Sequence, residues 1–521
     1  MGMAAAGPQQ FREDGACPES AVFLLAQLIA PPLQPGPVRL PERQLSPEQH
    51  PTEAAPGPSL NPDPGLLTPP SAAPGQPANT GTPPQSWRPS VRGTTPYSTS
   101  ELAKILQPCG QATPQETLQA CASALTARLE NSLVGIRAIP GVGQISGNLG
   151  RLGSDPTQAV LNLTVDSVPV PWRGELAVRN DGNAGTGQWR NTATVIKNNL
   201  IRRQDTLLTY LELDADSEPE LGGVIGSISY SWPFSDRWQL TGSLGYSRRN
   251  LVEATGIAHA LSFRQFQALA QLEGSLYRSS HQQWSAFLGV SGNRNDSYLA
   301  GDSFPLILGG GADGWLNSGY LRAGINGAAR YGNLSLGGNL YGLQGLAGLS
   351  TPAQLAELAG YGIRPGEARA LGALINATWG IQPNLSLNLR AAGQVALAKL
   401  TNDMGFSIGS DVGLRGLPGS LISGDNGTLG TGELVWTVWR SHNQALQLVP
   451  FVGIGWVKTN LNGLSLNDSI GSGGLLSRWL AGRHWAMELG WVNQFSDGNN
   501  AGLWNQWLLG SGVYSKVQFR F

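Results

Sequence analysis

The chain has 521 residues, a formal net charge of −1 and only 13% charged side chains, against roughly a quarter in an average soluble domain. Near-zero charge without a basic cluster excludes an electrostatic nucleic-acid footprint. A near-neutral mean hydropathy with no apolar run of about 18 residues excludes a bundle of membrane helices.

Residues 1–30 contain a short apolar stretch, Ala21–Ala30. Two readings stand open: the remnant of a secretion signal, although Arg12, Glu13 and Asp14 supply no basic leader, or a short helix able to plug a lumen. Residues 31–89 read as a linker. More than half of the 35 prolines lie between Pro31 and Pro96, among Ser, Thr, Gln and Gly. Such a segment buries too little apolar surface to offset its ordering entropy.

Residues 90–170 read as a small α+β domain. The pattern predicts a strand at 90–95, helices at 98–107 and 113–131, and strands at 135–144 and 159–165. Thr113, Pro114 and Glu116 suit the start of the longer helix. Cys109 ends one expected helix and Cys121 lies in the next, so a periplasmic disulfide or two buried thiols fit equally. The histidines (His50, His259, His281, His442, His484) are scattered, there is no CxxC, and no metal or other cofactor is expected.

From 171 to 521 the chain reads as a sixteen-stranded antiparallel transmembrane β-barrel. In Arg237–Ser247 the residues Trp238, Leu240, Gly242, Leu244 and Tyr246 share one face, opposite Gln239, Thr241, Ser243 and Ser247. In Asn384–Gln394, Leu385, Leu387, Leu389 and Ala391 oppose Ser386, Asn388, Arg390 and Gln394. Trp and Tyr recur near strand ends (Trp172, Tyr230, Trp232, Trp238, Trp284, Trp436, Trp456, Trp485, Trp491), as in interfacial girdles. Tight turns are expected near 202–204, 235–236, 280–282, 332–333, 382–384, 441–444 and 482–484. Long loops are expected near 181–187, 214–222, 248–258, 293–316, 346–367, 402–428, 459–471 and 496–510. This strict alternation belongs to a barrel with short periplasmic turns and long outer loops, wide enough for a water-filled, polar lumen. The last strand places Val513, Val517, Phe519 and Phe521 outward and Tyr514, Lys516, Gln518 and Arg520 inward.

A strand-helix-helix-strand-strand domain ahead of a barrel resembles a polypeptide-transport-associated (POTRA) domain, and Arg137-Ala-Ile-Pro-Gly-Val142 is similar to the "LPGV" stretch of the POTRA domain nearest the barrel. Within the barrel, Gly393-Gln394, Phe406-Ser-Ile-Gly409, Leu414-Arg415-Gly416 and Ser423-Gly424-Asp425-Asn426-Gly427, followed by Glu433, resemble the region that marks two-partner secretion transporters of the hemolysin secretion/activation type (TpsB). The resemblance covers roughly residues 90–521. It implies an outer-membrane pore of a Gram-negative-type bacterium, working as a monomer with its POTRA-like domain in the periplasm and lipid around its barrel. The pore would recognise an unfolded, adhesin- or hemolysin-like partner protein and export it to the surface. It implies that the sixth outer loop folds into the lumen, where Arg415 contacts the wall. Gly416, Gly424 and Gly427 would permit the reversal. The terminal aromatics Phe519 and Phe521 resemble the signal read by the barrel-assembly machinery.

The chain departs from the family pattern in three respects. Leu414 replaces the first residue of the usual Val-Arg-Gly. The neighbouring strand reads Phe451-Val-Gly453-Ile-Gly455 where the family carries Phe-x-Asp-x-Gly, whose aspartate pairs the loop arginine; Glu433 and Glu488 are the substitutes in view. There is room for one POTRA domain, whereas the family typically has two. Alternatives are an assembly insertase of the same superfamily and a passive diffusion porin. An enzyme is not expected, because no GxSxG elbow and no paired, shielded acid–base site is visible.

Overall fold

The computed structural model describes residues 86–92, 142–151, 158–167 and 172–521, apart from 183–184, 203, 216–220, 236, 252–260, 280, 420, 462–463, 500–508 and 510. Three strands precede the barrel: β1 (Ser86–Arg92), β2 (Val142–Arg151) and β3 (Gln158–Ser167). β3 is central, parallel to β1 and antiparallel to β2. β1 therefore starts four residues before the expected Ser90, and β2 runs from Val142 to Arg151 instead of over 135–144. The two expected helices, with Cys109 and Cys121, lie outside the described residues, as do residues 1–85.

The barrel begins with β4 (Arg173–Arg179), β5 (Trp189–Asn198), β6 (Thr206–Ala215), β7 (Leu221–Pro233) and β8 (Trp238–Asn250). It continues with β9 (Leu261–Arg278), β10 (Gln282–Leu299), the two-residue β11 (Asp302–Ser303), β12 (Trp315–Tyr331), β13 (Leu334–Gly345), β14 (Arg369–Gln382) and β15 (Leu385–Ala396). Two short strands, β16 (Phe406–Ile408) and β17 (Ile422–Gly424), form a separate hairpin. The wall resumes with β18 (Asn426–Ser441), β19 (Gln444–Leu461), β20 (Leu464–Ala481), β21 (Trp485–Gly498) and β22 (Val513–Arg520). β22 pairs with β4, which closes a barrel of 16 long strands.

Closure satisfies every strand edge inside the bilayer, where water is not available to do so. The alternation read from the sequence sets the two faces. Trp238, Leu244 and Tyr246 point out to lipid, whereas Thr241 and Ser247 are buried toward the lumen. Trp172, Trp238, Tyr277, Trp284, Tyr331, Trp379, Trp436 and Trp485 are exposed at the short-turn ends of their strands, where amphipathic rings favour the headgroup level.

Strict alternation of turn length does not hold. The long loop expected at 459–471 is a tight hairpin, because β19 and β20 stay paired out to Leu461 and Leu464. Likewise β10 runs on to Leu299, well into the loop expected at 293–316. These strands have 18 residues, whereas about 9–11 cross a bilayer. Their outer ends stand clear of lipid, so they carry the Asn, Asp and Ser that in a sequence look like loop. The connection after β13 contains a helix, α1 (Pro352–Gly360), held by a Thr351/Gln354 capping box with proline in its first turn.

The β4–β22 seam is short, with five register pairs from Lys516↔Arg179 to Arg520↔Glu175. At one end Gly174 and Phe521 exchange two backbone hydrogen bonds of 3.0 Å. At the other, the Asn180 amide Nδ2 donates to the Val513 carbonyl (2.8 Å), and its Oδ1 accepts from the Ser515 N–H (2.8 Å).

Candidate functional site

The chain between β15 and β18 is the sixth outer connection, and it enters the barrel. β16 and β17 pair as Phe406↔Gly424, Ser407↔Ser423 and Ile408↔Ile422. The turn beyond them is closed by bonds from the Ser410 N–H to Pro418 O (3.0 Å), Asp411 N–H to Gly419 O (3.0 Å) and Leu414 N–H to Gly409 O (3.1 Å). Phe406, Ile408, Leu414, Leu417, Leu421 and Ile422 are all buried and form one cluster with Leu429, Val457 and Ile470 of the wall. The lumen is therefore not uniformly polar, as a diffusion channel would be. On β18–β21 it presents an apolar strip that receives the hairpin, with Val449, Phe451, Leu476 and Val492 continuing it.

Arg415 lies at the tip. Its Nε donates to Glu433 Oε1 (2.5 Å), Nη2 to Glu433 Oε2 (3.3 Å) and Nη1 to Glu488 Oε2 (2.9 Å). Glu488 also accepts from Arg478 Nε at 2.7 Å. The guanidinium thus joins β18 to β21 through a fork on one carboxylate and a single bond to the second, a geometry that lysine lacks. Glu433 and Glu488, the two substitutes named from the sequence, both serve as partners. Gly453 explains why neither sits on β19. A Cβ there would stand 2.6 Å from Leu414 Cδ2, so the Leu414 side chain occupies the space above it.

Of the three glycines expected to permit the reversal, only Gly416 has a positive φ, 75°. It also faces Val492, whose Cγ1 would lie 2.8 Å from a Cβ, and its carbonyl accepts from Gln494 Nε2 (2.6 Å). Gly424 and Gly427 lie in β17 and β18 and have a different reason. A Cβ on Gly424 would meet the Lys458 backbone at 3.0 Å, and one on Gly427 would overlap the Phe406 ring. The roots of the loop are held by Gln394, which donates to Met404 O (2.8 Å) and Asp425 O (3.3 Å). The Asp425 N–H in turn donates to Thr459 Oγ1 at 3.1 Å. Ser423 contributes through its strand pairing with Ser407.

A second tether escaped the sequence reading. Arg190 on β5 donates from Nη2 to Asp411 Oδ1 (2.9 Å) and from Nη1 to Ser410 Oγ (2.9 Å), while its Nε and Nη2 hold Glu212 at 3.1 and 2.6 Å. Arg190 is fully buried, and Asp214 lies 4.0 Å from its Nε. The available signal was three ionisable residues, Arg190, Glu212 and Asp214, on the lumen face of adjacent strands, where a charge needs a partner. A polar cavity of about 180 Å³ separates the tethers, lined by Arg179, Asp181, Gly413, Arg415, Glu433 and Tyr514. The loop tip therefore bridges two neighbouring parts of the wall, β5–β6 and β18–β21, on either side of the β4–β22 seam, while the hairpin behind it shares its buried cluster with Leu261 and Phe263 of β9 across the lumen.

The family model described as haemolysin secretion/activation protein ShlB/FhaC/HecB matches residues 158–474, more than half of the chain. The chain belongs to this family. It is a two-partner secretion transporter of the outer-membrane barrel type. Among solved structures, CdiB from Escherichia coli is similar with a TM-score of 0.58 at 13% identity, over 87% of this chain and 94% of that one. CdiB from Acinetobacter baumannii gives a TM-score of 0.59 at 17% identity, over 84% and 74%. BamA from Haemophilus ducreyi lacking POTRA domains 1–3 gives 0.50 at 13% identity, over 84% of each chain. At these identities the likeness is one of fold. No curated protein sequence matches significantly.

Proposed function

We propose that this transporter recognises an unfolded partner protein in the periplasm and passes it through the barrel lumen to the cell surface. The observation that carries the reading is the doubly tethered sixth loop: a lumen-crossing hairpin on ion pairs is a removable gate, which a passive pore does not need. β1 and β2 each pair only with β3 among the described residues, so the sheet offers edges to which an extended cargo segment can add as a strand. Folding of the cargo outside supplies the direction, and Leu414, Arg415 and Gly416 form the gate. Phe519 and Phe521 would be read by the barrel-assembly machinery during insertion, after which the chain works as a monomer. Deleting the gene tests the reading. Surface display of one large, β-helical, adhesin-like protein is expected to disappear, and unchanged display of all such proteins would overturn it.

The short β4–β22 seam favours a second reading, an insertase that opens sideways to accept strands of other barrels. Val178 and Val517 lie directly opposite across the seam, so a V178C/V517C disulfide would lock it. Export through the lumen survives that lock. Loss of function on oxidation, with a general loss of barrel proteins on depletion, would instead establish the insertase.

A further inference from the structure

We infer that the outer wall of β8–β10 carries a binding site for a lipid with a phosphorylated headgroup, at the level of the outer leaflet. This rests on the lipid-facing surface alone and is independent of what the lumen conducts. The register builds the surface row by row. Reading outward from mid-membrane, Leu240, Leu272 and Leu288 stand side by side; then come Gly242, Ala270 and Val290; then Leu244, Ala268 and Gly292. Above them stand Tyr246, Phe266 and Arg294, and above those Arg248, Arg264 and Asp296.

The second and third rows hold four small residues where neighbouring rows hold leucines and aromatics. The result is a groove of about 590 Å³ on the lipid-facing wall, bounded by Ile228, Leu244, Val290 and Leu349. Its outer mouth is cationic. Arg248, Arg264 and Arg294 are exposed, one or two outward positions beyond the groove, and the single carboxylate in those rows is Asp296, 3.0 Å from Arg294. Asp302 and Asp313 lie further out, in the connection that follows β10.

Two observations select an anion. Arg248 and Arg264 are directly opposite each other on paired strands, an arrangement of like charges that costs stability, and the carboxylate opposite Arg264 on its other side, Asp296, already accepts from Arg294. The guanidinium groups are also pre-positioned. Arg264 stacks on Tyr298 at 4.5 Å and Arg294 on Trp315 at 4.8 Å, and stacking on a ring face uses none of the in-plane N–H donors that suit phosphate. The site lies just beyond an aromatic row on a lipid-facing wall, where headgroups meet the protein. The phosphate is therefore that of a lipid whose acyl chain follows the groove.

The test uses the full chain purified in detergent, exchanged against lipid A, dephosphorylated lipid A or inorganic phosphate and read by native mass spectrometry. Lipid A is expected to be retained at least tenfold more tightly than its dephosphorylated form. R248Q/R264Q should abolish that preference, and A270F should weaken both lipids by filling the groove while leaving the arginines in place. Heat-modifiable migration on gels establishes that each variant is folded. Equal retention of the two lipids by the unaltered protein overturns the inference without reliance on any variant. Unchanged retention by folded R248Q/R264Q also overturns it. Displacement of lipid A by millimolar inorganic phosphate would show a free-anion site in place of a lipid site.

Discussion

Leu414 stands over Gly453, its Cδ2 2.6 Å from the point a Cβ on residue 453 would occupy. Two of the three departures from the family pattern thus meet at one place in the lumen. Where the family carries an aspartate on β19, this chain has space, and a larger residue beside the loop arginine fills it. Gly453→Asp alone should force the fully buried Leu414 off the wall, at an overpacking cost of about 1–3 kcal/mol. The loop should then become susceptible to protease, and single-channel conductance in planar bilayers should rise. Combining it with Leu414→Val should recover most of the closed behaviour. Equal conductance of the single and double variants would refute this coupling.

The two tethers should fail unequally. Arg415 bridges Glu433 and Glu488, and removing it leaves Glu433 without its guanidinium while Glu488 keeps Arg478. Breaking such a largely buried pair costs about 3 kcal/mol or more. Arg415→Lys should recover only part of this, since an ammonium cannot form the fork. Asp411→Asn should be milder, because Arg190 retains Glu212 and Ser410. The measured order of open probability should be Arg415→Ala, then Arg415→Lys, then Asp411→Asn, then the unaltered protein.

The barrel was legible because alternation survives in most strands that meet lipid: Leu240 and Leu244 outward against Thr241 and Ser247 inward is a pattern of period two, broken on β19 and β20 where Val449, Phe451, Ile470 and Leu476 face inward. It ceased to be legible beyond the hydrocarbon, where Arg294, Asp296 and Asn467 sit on the outer face of paired strands and no lipid chain requires that face to be apolar. α1 was signalled only by Thr351-Pro352 and Gln354, a four-residue capping pattern inside a polar connection. The arginine of the loop was visible from its motif, with Glu433 on the strand that follows, whereas Glu488 belongs to no motif and was in view only as a substitute carboxylate. Arg190 was not, since its partner Asp411 is 221 residues away, and only the closed barrel brings β5 beside the sixth loop.

The Phe521 ring should matter for closing the barrel. Phe521 exchanges backbone bonds with Gly174, and its ring covers that glycine so closely that a Cβ would overlap it. Phe519 continues the stack toward Trp485, with centroids 4.8 Å apart. Gly174→Val should therefore mimic Phe521→Ala, with both slowing the appearance of the heat-modifiable folded band in a refolding assay. Adding Phe521→Ala to Gly174→Val should cause little further loss, because each removes the same contact. Additive slowing would show that the two residues act separately.

The β5–β6 turn provides a pH test at the short-turn rim. The Asp205 carboxylate accepts from the amides of Leu200 (2.6 Å), Ile201 (2.9 Å) and Arg202 (2.8 Å) and from the Tyr230 hydroxyl (2.6 Å). Burial pushes this carboxyl up, but the hydrogen bonds from Tyr230 and the three amides outweigh it and hold the group below its ordinary value. A carboxyl lowered on folding contributes stability that is complete above its unfolded pKa, about 3.9, and is lost as pH falls through the lower folded value. Hydrogen bonds to a charged acceptor contribute about 1.5–3 kcal/mol. Asp205→Ala should therefore speed hydrogen exchange of the Leu200–Arg202 amides roughly tenfold or more near neutrality, and this gap should close as the pH falls below the unfolded value and through the lower folded one. An unchanged gap in acid would mean that the neutral carboxyl holds the turn as well as the anion does.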